Sequence, residues 1–480
     1  MGGNRAKGAP AMSGEIRDEC GVFGIVEHRD AWALTYRGLF SLQHRGQESA
    51  GIAWRVPAPR VSDTDIRVEK GMGLVAEVLG TRFPADAAEA TTVIGHVRYS
   101  TSGGSTADNA QPLLAHTRFG PLALAHNGNL TNHRALRERL EQAGALFQTT
   151  SDSEVLAHLV ARDASGTFHE ALEKAARDMA GGFAYVMLTR AAMAGLRDPH
   201  GIRPLVLGQL DGSFVLASET CALDAIGADT LREVEPGELV VMDHAGLRSY
   251  WPWGRPREDA AFCAFEMVYF ARPDSRFRGQ TVHEARRAMG RQLAVQHPVL
   301  ADVVVGVPDS SLPAAMGFAE AAGLPFDMGL VKNRYVGRSF IQPGQIARDA
   351  VVSQKLSAVR SVVAGKRVAL VDDSLVRGTT SRHLVQLLRH AGARAVHMRI
   401  ASPPYKRACH YGIDTSRDDE LAAARYELDA IRDLTGADSL AYLSLEGLAA
   451  SLGPGGWCFA CFGDRYPVVP EHVETGGARL

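Results

Sequence analysis

The 480-residue sequence predicts two domains: an α+β sandwich of sheets covered by helices (αββα), then an α/β domain built on a parallel sheet. Three observations carry this. The chain is longer than one hydrophobic core supports, since cores stop growing at roughly 250–300 residues. Its hydrophobic grammar changes half-way, from short strand-like runs between glycine-rich turns to continuous apolar strands alternating with helical periods. Between the two lies Trp251-Pro-Trp-Gly-Arg-Pro-Arg-Glu-Asp259, rich in proline, glycine and charge, which is where linkers fall. The divisions are therefore 1–19 as a removable leader, 20–255, 256–465, and a loose tail at 466–480.

In the first domain the β-rich runs are Thr92–Val97, Leu122–His126, Phe183–Thr189, Leu205–Gly208, Phe214–Ala217 and Leu239–Met242. Helical periods interrupt them at Arg134–Ala143, Ser153–Arg162 and Thr167–Met179, so helices cover the sheets. In the second domain, the apolar run Asp302–Pro308 leads into an alanine-rich helix at Leu312–Ala322. Arg367–Asp372 then leads through a polar loop into a helix at Ser381–Ala391 and a strand at Ala395–Ile400. Strands that are apolar throughout belong to a parallel sheet covered on both faces.

Composition excludes several classes. A formal net charge of −2 gives no global basic field for nucleic acid or an anionic membrane, so an anionic substrate must be gripped locally. No apolar run approaches the length of a membrane span, and Met1–Glu19 lacks the apolar middle of a signal peptide, which makes the cytoplasm the expected location. Six cysteines are too few for a disulfide scaffold in so long a chain.

Cys20 stands directly before Gly21-Val-Phe-Gly-Ile25, the small, apolar start of a buried strand. A thiol in that position can use its own α-amine as general base, because such an amine titrates near neutrality, at about 7.7–8.0. The amine must be free, so Met1–Glu19 is expected to be a propeptide. An ordinary buried thiol is the plain alternative.

The string Val368-Ala-Leu-Val-Asp-Asp-Ser-Leu-Val-Arg-Gly-Thr-Thr380 is a buried strand ending in two acids, a short loop, and a helix start. Gly378, Thr379, Thr380 and Ser381 can offer N–H groups and hydroxyls to a phosphate, where the helix dipole also favours negative charge. Asp372 and Asp373 can hold ribose hydroxyls or a magnesium-bound sugar. A well-capped helix alone would use similar residues. The whole string resembles the phosphoribosyl pyrophosphate (PRPP) motif of type I phosphoribosyltransferases, and Val307-Pro-Asp-Ser-Ser311 resembles their pyrophosphate loop. That resemblance implies PRPP binding by Lys332, Asp372, Asp373, Ser374, Arg377 and Gly378–Ser381, and one magnesium ion at Ser310, Asp372 and Asp373. Lys332–Gln345, cationic at its start and without period, reads as a lid that excludes water. Ser311 and Ser353 stand where related sequences often carry glycine and arginine.

Four strings follow Cys20 in order: His44–Gly51, Gly95–Thr101, His126-Asn-Gly-Asn129 and Ser151-Asp-Ser-Glu154. Each has a plain alternative, such as a hairpin turn at Asn127-Gly128 or a helix cap at Ser151–Glu154. Together they resemble class II glutamine amidotransferases. The resemblance implies a nucleophile at Cys20, an oxyanion hole at Asn127 and the Gly128 N–H, and glutamine recognition by Arg45, Arg98, Thr101 and Asp152. A guanidinium fork suits the substrate carboxylate because it donates two parallel hydrogen bonds.

Cys458-Phe-Ala-Cys461 gives two thiols on one turn, and Cys263 and Cys409 are the other cysteines of the second half; Cys221 reads as a packed thiol. Four thiolates suit zinc or an iron–sulfur cluster, and spacing does not decide. The two motif sets in one chain resemble the amidophosphoribosyltransferase family. That resemblance implies one [4Fe–4S] cluster per subunit on Cys263, Cys409, Cys458 and Cys461, as in one branch of the family. It also implies glutamine and PRPP as substrates, purine nucleotide inhibitors and a homo-oligomer, with neither nucleic acid nor membrane as partner. Regulators that sense PRPP, and class II amidotransferases joined to an isomerase or synthetase half, are the rivals; each lacks one of the two motif sets.

Overall fold

The computed structural model describes residues 20–56, 65–80, 84–99, 104–163, 166–255, 260–333, 356–413, 415, 417–463 and 465–469. The proposed propeptide, Thr101, nearly all of the lid, Ser353 and most of the boundary at 256–259 lie outside the described residues.

The first domain is two antiparallel sheets packed face to face. One has seven strands: β1 (Gly21–Ile25), β2 (Ser49–Val56), β3 (Asp65–Met72), β4 (Val93–Arg98), β9 (Val206–Leu210), β10 (Ser213–Ala217) and β11 (Asp229–Glu233), in the order β11-β9-β10-β1-β4-β2-β3. The other has six: β5 (Leu113–Thr117), β6 (Gly120–Leu130), β7 (Gly181–Leu188), β8 (Met193–Arg197), β12 (Leu239–Asp243) and β13 (Gly246–Tyr250), in the order β13-β12-β8-β7-β6-β5. Val22, Ile94, Ala125, Val186 and Leu216 fill the space between them. Helices Ala31–Ser41 and Thr220–Ile226 pack on one outer face, and Glu154–Arg162 and Phe168–Asp178 on the other. This is the expected αββα sandwich.

The register places the chemistry. Gly21 pairs with Val97 across β1 and β4, which sets Cys20 beside Arg98 at one end of the first sheet. In the second sheet Asn127 pairs with Ala184 and Gly128 with Phe183, so the Asn-Gly pair lies inside strand β6 rather than in a hairpin turn.

The second domain carries the parallel sheet β17-β20-β21-β22 (Val303–Gly306, Arg367–Asp372, Ala395–Ile400, Ser439–Tyr442). Its strands are buried on both faces, as their Val/Ile/Leu content requires. Helix Val282–Gln296 starts in a reciprocal cap: Glu284 N–H donates to Thr281 Oγ1 (3.1 Å) and Thr281 N–H to the Glu284 carboxylate (3.0 Å). It packs tightly on helix Leu312–Ala322 through two glycines. A Cβ on Gly290 would lie 1.8 Å from the Ala314 carbonyl oxygen, and one on Gly317 2.0 Å from that of Arg287. Phe262–Cys263 and Trp457–Cys458 form a short parallel pair that brings the two ends of the domain together. Tyr466 and Val468, assigned to the loose tail, are tied down: the Tyr466 hydroxyl donates to Ala408 O (2.7 Å) and that of Tyr411 to Val468 O (2.6 Å). No helix among the described residues is long and apolar enough to cross a membrane.

Candidate active site

Cys20 is buried, and its thiol donates to Tyr99 O at 3.3 Å. Beneath it sits Arg45, whose Nε donates to the Cys20 carbonyl (2.9 Å). The rest of that guanidinium is committed to Glu219 (2.6 Å) and, through both terminal nitrogens, to Glu266 (2.9 and 2.7 Å). Arg45 was expected to touch glutamine; the structure makes it a support under the nucleophile instead. Burial pushes Glu219 up, but His44 and Arg45 outweigh it and hold the carboxyl well below the ordinary range. Glu266 belongs to the second domain, on a π-helical turn at Glu266–Phe270, and Arg203 approaches it at 3.5 Å. Sequence reasoning missed both acids, because they stand 174 and 221 residues from Arg45.

Arg98 is buried beside Glu48 (3.7 Å) and the Gly104 carbonyl (3.5 Å) at the same end of the sheet as Cys20. Asn127 is fully buried, yet neither its side-chain nitrogen nor its oxygen has a protein partner. Buried polar atoms are almost always paired, so an orphaned amide between two sheets is a donor held ready for a ligand. Gly128 has φ +128, and a Cβ there would lie 2.1 Å from Gly182 O, so no other residue fits. His96 Nε2 meets the His126 carbonyl at 2.8 Å, tying the strand of Asn127 to the sheet of Cys20. Burial drives both histidines down, His96 to about 3 and His126 to about 4, so each is neutral at working pH. His126 Nδ1 lies 2.9 Å from Ser153 Oγ, and Asp152 accepts from Leu130 N–H (2.9 Å). Ser153 opens helix Glu154–Arg162 without capping it by its side chain.

In the second domain, strands β17 and β20 end side by side. Ser310 Oγ donates to Asp373, and Ser311 Oγ lies 3.0 Å from Asp372 and 3.3 Å from Asp373. Ser311 therefore stitches the pyrophosphate-type loop to both acids, which a glycine could not do. Burial first, and repulsion from Asp373 second, raise Asp372; burial also raises Asp373. A pair of adjacent buried carboxylates beside serine hydroxyls is a donor set that a hard divalent cation relieves, so these residues fit magnesium. Arg286, fully buried, donates to Met267, Tyr269 and Ala271 carbonyls on the π-helical turn and, at 3.4 Å, to that of Ser310. Gly378, with φ +80, opens helix Thr379–His390; Ser374 donates to Asp373 (2.7 Å). Arg377 pairs with Glu420 (2.6 Å), and Lys332 with Asp309 (3.1 Å).

Cys263 and Cys458 are register partners in the short parallel pair. Cys263, Cys458 and Cys461 pack in one apolar cluster, with Cys409 against it. Burial raises Cys458 to about 12 and lifts Cys461 well above the ordinary thiol range. No group of three His, Cys, Asp or Glu among the described residues closes to the spacing of a single metal ion. Thiols gathered around one apolar cluster are a donor set of the kind that holds zinc or an iron–sulfur cluster.

A glutamine amidotransferase domain model matches residues 96–225, and a phosphoribosyl transferase domain model matches 286–429. The amidophosphoribosyltransferase of Bacillus subtilis (strain 168) is 48% identical over 459 residues, covering 94% of each chain. The chain belongs to the amidophosphoribosyltransferase family. The family's member from Synechococcus elongatus is 47% identical over 474 residues, 96% of this chain and 94% of its own. The solved B. subtilis glutamine PRPP amidotransferase, complexed with ADP and GMP, superposes with a TM-score of 0.87 at 46% identity, covering 95% of this chain and 98% of that one. The enzyme thus has both expected domains, and membership of the family excludes the two rival architectures.

Proposed function

We propose that the enzyme converts glutamine, PRPP and water to 5-phosphoribosylamine, glutamate and pyrophosphate, the first step of de novo purine synthesis. The observation that carries this is the pairing, in one chain, of a buried nucleophile-plus-orphaned-amide site with a double-carboxylate phosphate loop. Cys20 Sγ attacks the glutamine side-chain carbonyl carbon while the free Cys20 amine takes the thiol proton. Asn127 Nδ2 and Gly128 N–H receive the charge that develops on the oxygen. The C–N bond breaks, ammonia leaves with that proton, and water hydrolyses the thioester to glutamate. Arg98 and Asp152 hold the two charged ends of glutamine. The ammonia passes internally to the second site, where it attacks C1 of PRPP as pyrophosphate departs.

Asp372, Asp373 and Ser310 would hold magnesium, which would neutralise the departing pyrophosphate. Ser374 and Arg377–Ser381 seat the 5′-phosphate on the helix N-terminus, and Lys332 faces the pyrophosphate. Cys263, Cys409, Cys458 and Cys461 would hold the [4Fe–4S] cluster. Met1–Glu19 is read as a propeptide, because the amine base requires Cys20 to be the first residue. The relative complexed with ADP and GMP favours purine nucleotides as inhibitors, and the family resemblance adds a homo-oligomer in the cytoplasm.

The test is pyrophosphate release from PRPP with glutamine or with ammonia, in processed enzyme whose first residue is sequenced as Cys20. Cys20→Ala should abolish the glutamine reaction and keep the ammonia reaction. A folded variant that loses both, or glutamine activity in protein that retains Met1, contradicts the assignment.

A further inference from the structure

The oxyanion strand of the first domain is clamped by a stretch of the second. Asn129 Nδ2, one residue beyond Gly128, donates to the His410 carbonyl at 2.9 Å. Gly412 lies against Gly128 itself: a Cβ on Gly412 would be 3.1 Å from the Gly128 Cα and 3.3 Å from its carbonyl carbon. Tyr411 Cβ stands 2.9 Å from where a Cβ on Gly182, the register partner of Asn129, would be. Three successive residues therefore grip the two adjoining strands at the point where the oxyanion donor sits.

The stretch that grips is itself rigidly held. Ala408 N–H donates to Asp418 (2.7 Å), Cys409 N–H to Thr415, and Thr415 Oγ1 meets the Tyr405 hydroxyl at 2.8 Å. The Tyr411 hydroxyl is tied to Val468 on both sides. At its far end it is fastened to the phosphate loop, by Ala422 N–H to Val376 O (2.7 Å) and by Glu420 to Arg377 (2.6 Å). Gly128, at φ +128, has no side chain to hold it, so besides the strand pairing of Asn127 the groups packed on its Cα and carbonyl carbon set where its N–H lies. Oxyanion stabilisation depends steeply on that direction.

We infer that Asn129 and Gly412 are positioning residues for the glutamine half-reaction: the second domain holds the Gly128 peptide in its oxyanion-binding orientation. This rests on the oxyanion role proposed above for Asn127 and Gly128. In processed enzyme, Asn129→Leu removes the donor at similar volume, and Gly412→Ala, at a backbone of φ +124 that a side chain strains, disturbs the contact with Gly128. Each should lower kcat for glutamine hydrolysis about tenfold with KM changed less than about twofold, because the donor acts on the transition state and not on bound glutamine. Two readouts separate positioning from general damage. Alkylation of Cys20 by iodoacetamide, which forms no oxyanion, should keep its rate, and ammonia-dependent pyrophosphate release should be unchanged. Parallel loss of the ammonia reaction would make these residues merely structural and overturn the inference, as would an unaltered kcat in both variants. Asn127→Ala tells the premise apart: if it too leaves kcat intact, the oxyanion reading itself fails, whereas a large loss there with none at Asn129 and Gly412 sinks the clamp alone.

Discussion

Replacing Glu266 by glutamine removes one of two carboxylates that neutralise Arg45 inside a fully buried site. In the parent enzyme Arg45 faces both Glu219 and Glu266, Arg203 faces Glu266, and His44 also meets Glu219. The variant leaves a net buried positive charge. With charge centres about 4 Å apart and an effective dielectric of about 20, the lost Arg45 attraction is about 4 kcal/mol. Arg203, slightly further away, loses about 3 kcal/mol on the same scale. Relief from burying the carboxylate returns several kcal/mol, which leaves a net cost of about 3–5 kcal/mol, the range found when one partner of a buried pair is deleted. For a domain of this size that is a fall of roughly 10 °C in the first thermal transition. Scanning calorimetry resolves it, since two domains are not expected to melt as one. Glutamine-dependent turnover should fall too, because Arg45 fixes the carbonyl of Cys20. The double variant Arg45→Met, Glu266→Leu separates the two effects: it removes the Arg45–Glu266 pair as a whole, so stability should recover in part, Arg203 still lacking that carboxylate, while glutamine turnover stays low. A Glu266→Gln transition within about 2 °C of the parent would show that Arg45 does not depend on the second domain's carboxylate, and the reasoning would fail.

Acid sensitivity should trace to the two buried histidines. Their folded values lie below the unfolded one, so between about pH 6.5 and 4 the unfolded chain binds protons that the folded one does not, and stability falls as pH falls. His96→Gln, which keeps a donor for the His126 carbonyl, should reduce the slope of unfolding free energy between pH 5 and 6 by about 1 kcal/mol per unit; an unchanged slope would clear His96 of the effect. Protein purified without oxygen should be brown, with iron and sulfide in equal amounts. Cys458→Ser should lose that visible absorption, whereas stoichiometric zinc without sulfide would overturn the cluster assignment.

Strands and helices whose apolar character is continuous were readable to within about two residues. Leu312–Ala322, Arg367–Asp372 and Ala395–Ile400 coincide with their elements. Helix Ala31–Ser41 was not, and Gly38 in its middle shows why. A Cβ at Gly38 would lie 2.4 Å from the Phe23 ring, so close packing on β1 demands a residue of poor helix propensity. Helix Val282–Gln296 hid for a related reason: Arg286 occupies its buried face, where a pattern search expects an apolar side chain. At the site, the residue types proposed to perform chemistry announced themselves, as Cys20, Asn127 and the Asp372-Asp373 pair do. Residues that orient them did not. Glu219, Glu266, Arg286 and His96 are ordinary in sequence and acquire meaning only from partners brought in by the fold.

Those partners also tie together two chemically separable activities. Arg45 takes one carboxylate from its own domain and one from the next, and the acceptor for Asn129 is likewise supplied across the boundary. Neither contribution touches the sulfur of Cys20 or the amide of Asn127. Each instead fixes backbone: the carbonyl behind the nucleophile in one case, the peptide plane of Gly128 in the other. Backbone placed in this way cannot be compensated by moving a side chain, because the groups involved have no rotamers. The phosphoribosyl domain therefore acts on the glutaminase through geometry that leaves its reacting groups intact, and the Ser310 carbonyl that Arg286 holds at 3.4 Å joins the π-helical turn bearing Glu266 to the loop beside Asp373. That loop is thus joined to the Cys20 carbonyl through buried charged groups: Arg286 on the backbone of the turn, Glu266 on the turn itself, and Arg45.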